Sequence, residues 1–510
     1  MTLARTLAVA LAGVHALVVE VEADLSAGLP GMSFTGLADT SVVESRDRIR
    51  AALVNSGAEW PNRRITVALL PADVRKIGSR FDLPVAVAVL ACAGQVPCAA
   101  VARAAWIAEL GLDGRLRPVR GVLPAVVAAR DAGVRRVVVA HPNAAEAALV
   151  PGIDVRAAAD LRQIVTWLRG EGAALPAAEG DDDAADAVPG PDLADVAGQT
   201  LAKRAVELAA AGGHHLYLLG APGAGKTMLA ERLPSLLPPL DDAAALEVTS
   251  VHSVAGMLGP RARLIRRAPM QAPHHTASVA SLVGGGSYLA RPGAISMAHR
   301  GVLFLDEAPE FSTSALDALR QPLESGAVVL HRWGGSVCYP ARFQLVLAAN
   351  PCPCGARASD CTCPPRARRR YLHRLSGPLL DRIDVRVHVE PVAHADLFDP
   401  DGIRETSPVV AARVLAARGA AAERWHETLW RVNGEVPGAT LRALPWRLGA
   451  AAVAPAQRYL QRGEISARGF DRVLRLAWTL ADLAGRTAPS AVDVAEALFF
   501  RTGRSESWAA

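Results

Sequence analysis

Apolar and polar positions change their period several times along these 510 residues, and each change marks an element. "TLAVALAGVHALVV" (6–19) runs apolar and then passes into "EVEADL", where apolar and acidic residues alternate with the period of two of a half-buried strand. "RRITVALL" and "VRRVVVA" read as further strands and "VLPAVVAARDAG" as a helix, so residues 1–170 read as an α/β domain. "LPVAVAVLACAGQVPCAAVA" (83–102) is long enough to cross a bilayer, but Gly94, Gln95 and Pro97 divide it into a buried helix and a turn. Neither this stretch nor 6–19 reads as a membrane element or a secretory signal, and no membrane partner is expected.

Farther along, "HLYLLG" is a short buried strand ending in glycine, and "KTMLAERLPSLL" has the spacing of a helix. "GVLFLDEAPEF" and "FQLVLAAN" open with continuous apolar runs of the kind a parallel sheet buries on both faces. From about residue 396 onward the periodicity is helical only. Between the halves, residues 171–195 hold eight acids, no base and three prolines, the composition of a solvated linker. The chain therefore divides into 1–170, an acidic linker 171–195, a nucleotide region 196–395 and a helical region 396–510.

With 51% hydrophobic and 21% charged residues, the composition is that of a globular protein and excludes a disordered one. The net charge of +5 permits a nucleic-acid partner without requiring one. It is unevenly spread: +4 over 1–170, −8 over 171–195 and +9 over the remainder. Seven cysteines with no secretory pattern before them point to reduced thiols in the cytoplasm.

The sharpest chemical signal is "GAPGAGKT", in which Gly220, Ala221, Pro222, Gly223, Ala224, Gly225, Lys226 and Thr227 follow a strand and open a helix. In that setting, backbone N–H groups and the helix dipole cradle phosphates. The chain has only three lysines, Lys76, Lys203 and Lys226, and the last stands where it reaches the β and γ oxygens of a nucleotide. Thr227 is placed to ligate magnesium. Asp306 and Glu307 end an apolar strand, where a sheet presents its ligands: Asp306 for the metal, Glu307 to polarise an attacking water. Asn350 ends a third strand and can orient that water.

From Val248 through Leu305 there is no acidic residue, while Arg261, Arg263, Arg266, Arg267, Arg291 and Arg300 fall within the window. "AVVLHRWGGSVCYPA" reads as a hairpin joined at Gly334-Gly335, with His331, Arg332 and Trp333 near its tip. Charge beside an aromatic face suits a backbone-tracking loop, and an ordinary hairpin with a solvated arginine is the alternative. Cys352, Cys354, Cys361 and Cys363 form two C-x-C pairs six residues apart. They either enclose a structural zinc or remain four reduced thiols, since two intervening residues are the more usual ligand spacing. Arg366, Arg368, Arg369 and Arg370 follow, as a nucleic-acid contact or a solvated cluster.

"APHHTASVASLVGGG", "RPGAISMAHRGVLFLDE", "AANPCPCG", "RYLHRLSGPLLDRIDV" and "ISARGFDRVLRLAWTLADL" resemble, in this order, the YifB/ComM family, magnesium-chelatase-like members of the AAA+ ATPases. The resemblance covers nearly the whole chain, including "GSRFDLPVAVAVL". It implies an AAA+ P-loop NTPase core, a C-terminal helical lid, and homo-hexameric rings with ATP bound between subunits. It also implies an N-terminal α/β domain like that of Lon protease, of the ribosomal S5 domain 2-like fold. By this resemblance Arg382 in "LLDRID" matches the arginine finger that reaches a neighbour's γ-phosphate, and Arg468 in "SARGF" the second sensor on the lid. The acid-free segment matches the family's insert facing the central pore, where its arginines, Arg291 among them, would line a DNA channel; His331 and Arg332 of the hairpin are a second candidate for that channel.

This chain departs from the pattern in two places. Ala294 stands where the family usually has glutamate, which puts some channel contacts in doubt. In the first domain Ser79 is one place off the serine of the proteolytic dyad and Leu123 takes the place of its lysine, so a non-proteolytic domain is expected. The activity implied is an ATP-driven DNA translocase of the ComM branch-migration type, acting on single-stranded or branched DNA. A chelatase-like ATPase that remodels a partner protein is the alternative, and a peptidase is disfavoured by the missing dyad.

Overall fold

The computed structural model describes residues 3–179, 190–286, 290–332, 335–356, 361–394, 396 and 404–503. The first domain is built on strands β1 (Leu3–Ala12), β2 (His15–Ser26), β3 (Gly31–Thr35), β4 (Arg64–Leu70) and β5 (Ala104–Ile107). A short hairpin follows, β6 (Glu109–Leu110) and β7 (Leu116–Arg117), and then β8 (Arg136–Ala140) and β9 (Asp154–Ala158). Seven of these form one mixed sheet in the order β3-β4-β2-β1-β5-β8-β9. β1 and β2 pair antiparallel from Leu3↔Asp24 to Ala12↔His15. The apolar run 6–19 is thus the turn of a hairpin and parts of both its strands, not the approach to a single strand. The turn is at Gly13, with φ +70, where a Cβ would lie 2.7 Å from Val337 Cγ1 of the second domain. Only glycine fits both constraints.

Residues 83–102 form the expected helix and turn: all eleven residues of the Asp82–Cys92 helix are buried, packed between the sheet and the Thr40–Asn55 helix. Among the described residues no helix is long and apolar enough to cross a membrane.

The second domain adds β10 (Leu216–Gly220), β11 (Met270–Gln271), β12 (Gly284–Gly285), β13 (Arg291–Pro292), β14 (Val302–Leu305), β15 (Ala327–Arg332), β16 (Gly335–Pro340), β17 (Gln344–Ala349) and β18 (Val385–Val389). Five of them form a parallel sheet in the order β11-β14-β17-β10-β18. Every residue of β14 and β17 is buried, which explains their unbroken apolar sequence. Because the strands are parallel, the ends of β10, β14 and β17 share one edge, and the loops that leave them converge there.

After Val389 the described residues contain helices and no strand. The longest are Ser407–Arg424, Ala450–Gln461, Ala467–Leu483 and Ala491–Thr502. Val410, Val414, Leu476 and Leu480 share a core with Val206 and Leu208 of the Thr200–Gly212 helix. Trp425, Trp430, Trp446 and Trp478 meet in a smaller one through edge-to-face and tilted ring contacts, with centroids 4.7–6.0 Å apart. The joint to the sheet is polar: Asp384 accepts from His215 N at 3.1 Å and from Arg472. Burial alone would raise the Asp384 carboxyl, but Arg472 and the two histidines beside it hold it well below the usual range.

Both described ends of the acidic segment are packed. Leu175 is buried in the first core and Leu193 in the second. Ala157 N donates to Pro176 O at 3.1 Å, and Ser407 N to Asp192 Oδ1 at 2.7 Å. The ends of 171–195 are therefore ordered, although its composition reads as solvated throughout; residues 180–189 lie outside the described set. The first domain also packs directly on the second. Val9, Ile107, Val122 and Val126 share a core with Leu246, Leu258 and Leu264. Gly121 N donates to Ser253 O at 3.2 Å, and half-buried Glu146 accepts from Leu123 N at 3.1 Å and from the Ser253 hydroxyl. Desolvation pushes the Glu146 carboxyl upward against these hydrogen bonds.

Candidate nucleotide site

The loop after β10 bends through two glycines at positive φ, Gly223 (φ +75) and Gly225 (φ +92), so that Lys226 and Thr227 begin the Lys226–Leu236 helix. Lys226 is 7% exposed, and its ammonium donates to Gly220 O at 2.8 Å, Ala221 O at 2.9 Å and Asn350 Oδ1 at 3.0 Å. Burial lowers its pKa, against the pull of Asp306 and Glu307. Thr227 Oγ1 donates to Asp306 Oδ2 at 2.8 Å, and Asp306 Oδ1 accepts Glu307 N at 2.9 Å. Three strand ends thus bring Lys226, Thr227, Asp306, Glu307 and Asn350 to one sheet edge. The hydroxyl and carboxylate oxygens of Thr227 and Asp306 are the hard donors that suit magnesium.

Three neighbours of this edge are absent from the sequence reading. His275 Nδ1 lies 3.2 Å from Glu307 Oε2. β11 pairs with β14 through Met270↔Val302, which carries the residues after β11 alongside those after β14. Tyr371 takes a hydrogen bond from the Asn350 backbone, and burial, with Glu310 and Glu307 nearby, raises its phenol to about 12. Gln199, at φ +56, donates to Ala224 O at 3.0 Å in the phosphate loop. The two histidines of "APHHTAS" were a visible signal. Tyr371 and Gln199 left none, because their roles depend on strands distant in sequence.

Arg382 and Arg468 are placed elsewhere. Arg382 donates to Pro378 O at 2.7 Å and pairs with Glu324. Arg468, 76% exposed, is 4.0 Å from Asp381. Arg382 follows Asp381 in the chain and Arg468 approaches it, and Asp381 itself lines a cleft of about 390 Å³ with Arg386, Glu464 and Arg501. Among the described residues, neither arginine meets the phosphate loop.

Arg291 is exposed on β13, opposite Gly285, without an ion-pair partner among the described residues. The β15–β16 hairpin forms, but Arg332 pairs with Gly335, so Gly335 belongs to a strand and not to the turn. His331 is exposed and bonds Ser336 Oγ through Nδ1 at 2.8 Å; Trp333 lies outside the described residues. The acid-free run is not acid-free in space. Arg266 pairs with Asp242 at 2.7 Å, and Arg300 with Glu247 at 3.2 Å. His299 and Arg300 hold the Glu247 carboxyl at about 2, against its burial. Ala294 opens the short Ala294–Met297 helix.

The thiols of Cys352, Cys354, Cys361 and Cys363 come together, with all four Sγ within 4.8 Å of one another. In the first domain, Ser79 Oγ donates to Glu109 and the Lys76 ammonium to Pro71 O, while Leu123 is fully buried. No contact between Ser79 and a lysine occurs among the described residues.

Comparison with known proteins adds three family matches: residues 192–397 with magnesium chelatase, subunit ChlI; residues 21–143 with subunit ChlI of Mg-chelatase; and residues 404–501 with the C-terminal part of magnesium chelatase subunit ChlI. The chain is 53% identical to an uncharacterised Mycobacterium tuberculosis protein, over 98% of this chain and 99% of that one. It is 40% identical to the competence protein ComM of Haemophilus influenzae, over 98% of each. It is also 40% identical to the YifB protein of Escherichia coli, over 92% of this chain and 91% of that one.

Proposed function

We propose a function on the premise that this chain belongs to the magnesium-chelatase-like family of AAA+ ATPases that includes ComM and YifB. Membership suggests ATP as the ligand of the phosphate loop and Mg2+ as its metal. The parallel sheet and the oxygen donors of Thr227 and Asp306 fit both. When bound, the metal neutralises charge on the β and γ phosphates. Lys226 exchanges its bonds to Gly220 O and Ala221 O for phosphate oxygens. Glu307 accepts a proton from the attacking water, and Asn350 keeps that water in line.

In this reading the site is completed by a neighbouring copy in a homo-hexamer. Arg382 supplies the finger and Arg468 the second sensor, and the observation that carries it is that within one chain both arginines contact other groups, Pro378, Glu324 and Asp381, and not the phosphate loop. Residues 196–395 act as the ATPase core, 396–510 as the helical lid and 1–170 as a Lon-like, non-proteolytic domain, joined through 171–195.

The load is DNA, single-stranded or branched, moved in the cytoplasm by a translocase of the ComM branch-migration type. Support comes from the name of the Haemophilus relative, from the +9 net charge after residue 195 and from the exposed Arg291. The pairing of Arg266 and Arg300 with nearby acids reduces the charge of the insert and favours the second reading, a chelatase-like ATPase that remodels a protein. ATP turnover with and without single-stranded, duplex and forked DNA separates them. The first reading expects stimulation by at least one of these; no stimulation and no binding at moderate salt would leave the second.

A further inference from the structure

We propose that Cys352, Cys354, Cys361 and Cys363 bind one zinc ion as a closed four-thiolate site, and that this ion ties the segment after Asn350 to the Pro365–Leu372 helix. Spacing alone leaves zinc and free thiols open; the placement of the sulfurs separates them. Cys352 Sγ lies 3.3 Å from Cys354 Sγ and 3.3 Å from Cys361 Sγ, and Cys354 Sγ is 3.6 Å from Cys361 Sγ. Cys363 completes a group whose sulfurs all lie within 4.8 Å. A tetrahedron of thiolates around zinc, with bonds of about 2.3 Å, has edges of about 3.8 Å. One ion therefore fits among these four atoms with little movement.

Neither apolar packing nor disulfide formation accounts for the convergence as well. Thiols serving as small apolar groups would be buried, but only Cys352 is buried; Cys361 and Cys363 are half-buried and Cys354 is exposed. If they formed disulfides, one pair would stand apart from the others. Three nearly equal separations single out no pair, and each is far beyond the roughly 2.05 Å of an S–S bond. Four soft thiolates leave no open position, which makes the ion structural and not catalytic. This is the one group of potential ligands of three or more among the described residues.

The position of the site gives the ion a task. Cys352 follows two residues after Asn350, whose side chain accepts from Lys226. A Cβ on Gly355 would lie 3.3 Å from Pro222 Cγ in the phosphate loop. On the other side Arg368 Nε donates to Cys363 O at 3.2 Å, and Tyr371 at the far end of the same helix meets the Asn350 backbone. That helix also shows Arg366, Arg369 and Arg370 to solvent. The ion would fix a loop that touches the phosphate loop at one end and roots a basic helix at the other. The metal site stands on the cysteines alone; its link to turnover rests on the proposed ATPase reading.

The test is metal content, which does not depend on nucleotide. The full chain, purified without chelator or metal-affinity resin, should carry about one zinc per chain by plasma mass spectrometry. Cys354→Ser with Cys361→Ser should lower that at least fivefold, while Cys98→Ser, an exposed thiol of the first domain, leaves it unchanged. The four thiols should resist a thiol reagent until a chelator is added, releasing zinc as they react. Iron in place of zinc, or four freely reactive thiols and no zinc retained after addition and gel filtration, would overturn the site. Wild-type turnover in a double variant that has lost its zinc would overturn the link to Asn350.

Discussion

At the phosphate-loop edge, Lys226 is nearly buried, and it, Thr227, Asp306 and Asn350 are paired through hydrogen bonds of 2.8–3.0 Å. At the Asp381 corner, Arg382 leans on Glu324 and a carbonyl, and Arg468 reaches into solvent. In the proposed function the first region holds the groups that bind phosphate and activate water. The second, in that reading, holds the cations that such chemistry needs at the far side of the γ-phosphate. A single chain would then bring together only one half. Carboxylates and carbonyls of the same chain satisfy the other half, and the arrangement makes sense when a second copy supplies the missing partner.

That contrast can be broken by substitution. Arg382→Ala should lower ATP turnover by about 10³-fold or more, the scale of an arginine finger, with ATP binding nearly unchanged. Equal loss of binding would mean the residue serves its own chain. Glu307→Gln should slow hydrolysis by about 10²–10⁴-fold while ATP stays bound, measured as retained nucleotide after rapid filtration. Arg468→Ala should cost about tenfold, because so exposed a cation is screened by solvent. Arg291→Ala with Arg332→Ala should leave basal turnover alone and lower the salt dependence of single-strand binding by about 0.7 for each phosphate no longer neutralised. An unchanged salt slope would remove both residues from the channel.

The two regions were also unequally legible in sequence. Gly220 to Thr227 are contiguous, and Asp306, Glu307 and Asn350 each end an apolar run, so strand periodicity alone placed them at one edge. Arg382 and Arg468 carry no such local mark and were found through resemblance. The hairpin at Gly13 was hidden because the apolar run continues through its turn. The docking of the first domain was hidden as well: Leu246, Leu258 and Leu264 look like any core stripe until Val9 and Val122 are seen against them. Counting charge along the acid-free window overstated its field, since Asp242 and Glu247 lie just outside it in sequence and beside Arg266 and Arg300 in space. The acidic segment misled in the opposite direction, because single leucines, Leu175 and Leu193, anchor its ends against two cores.

The most direct test of a nucleotide site shared between copies is to mix two inactive proteins. Lys226→Ala keeps Arg382 but loses its phosphate grip, and Arg382→Ala keeps the grip but loses the finger. Co-assembled in equal amounts, they should regain turnover, because in a head-to-tail ring about a quarter of the interfaces then join two unaltered halves. A mixture no more active than either protein alone, under conditions where mixed assemblies are seen to form, would contradict the account.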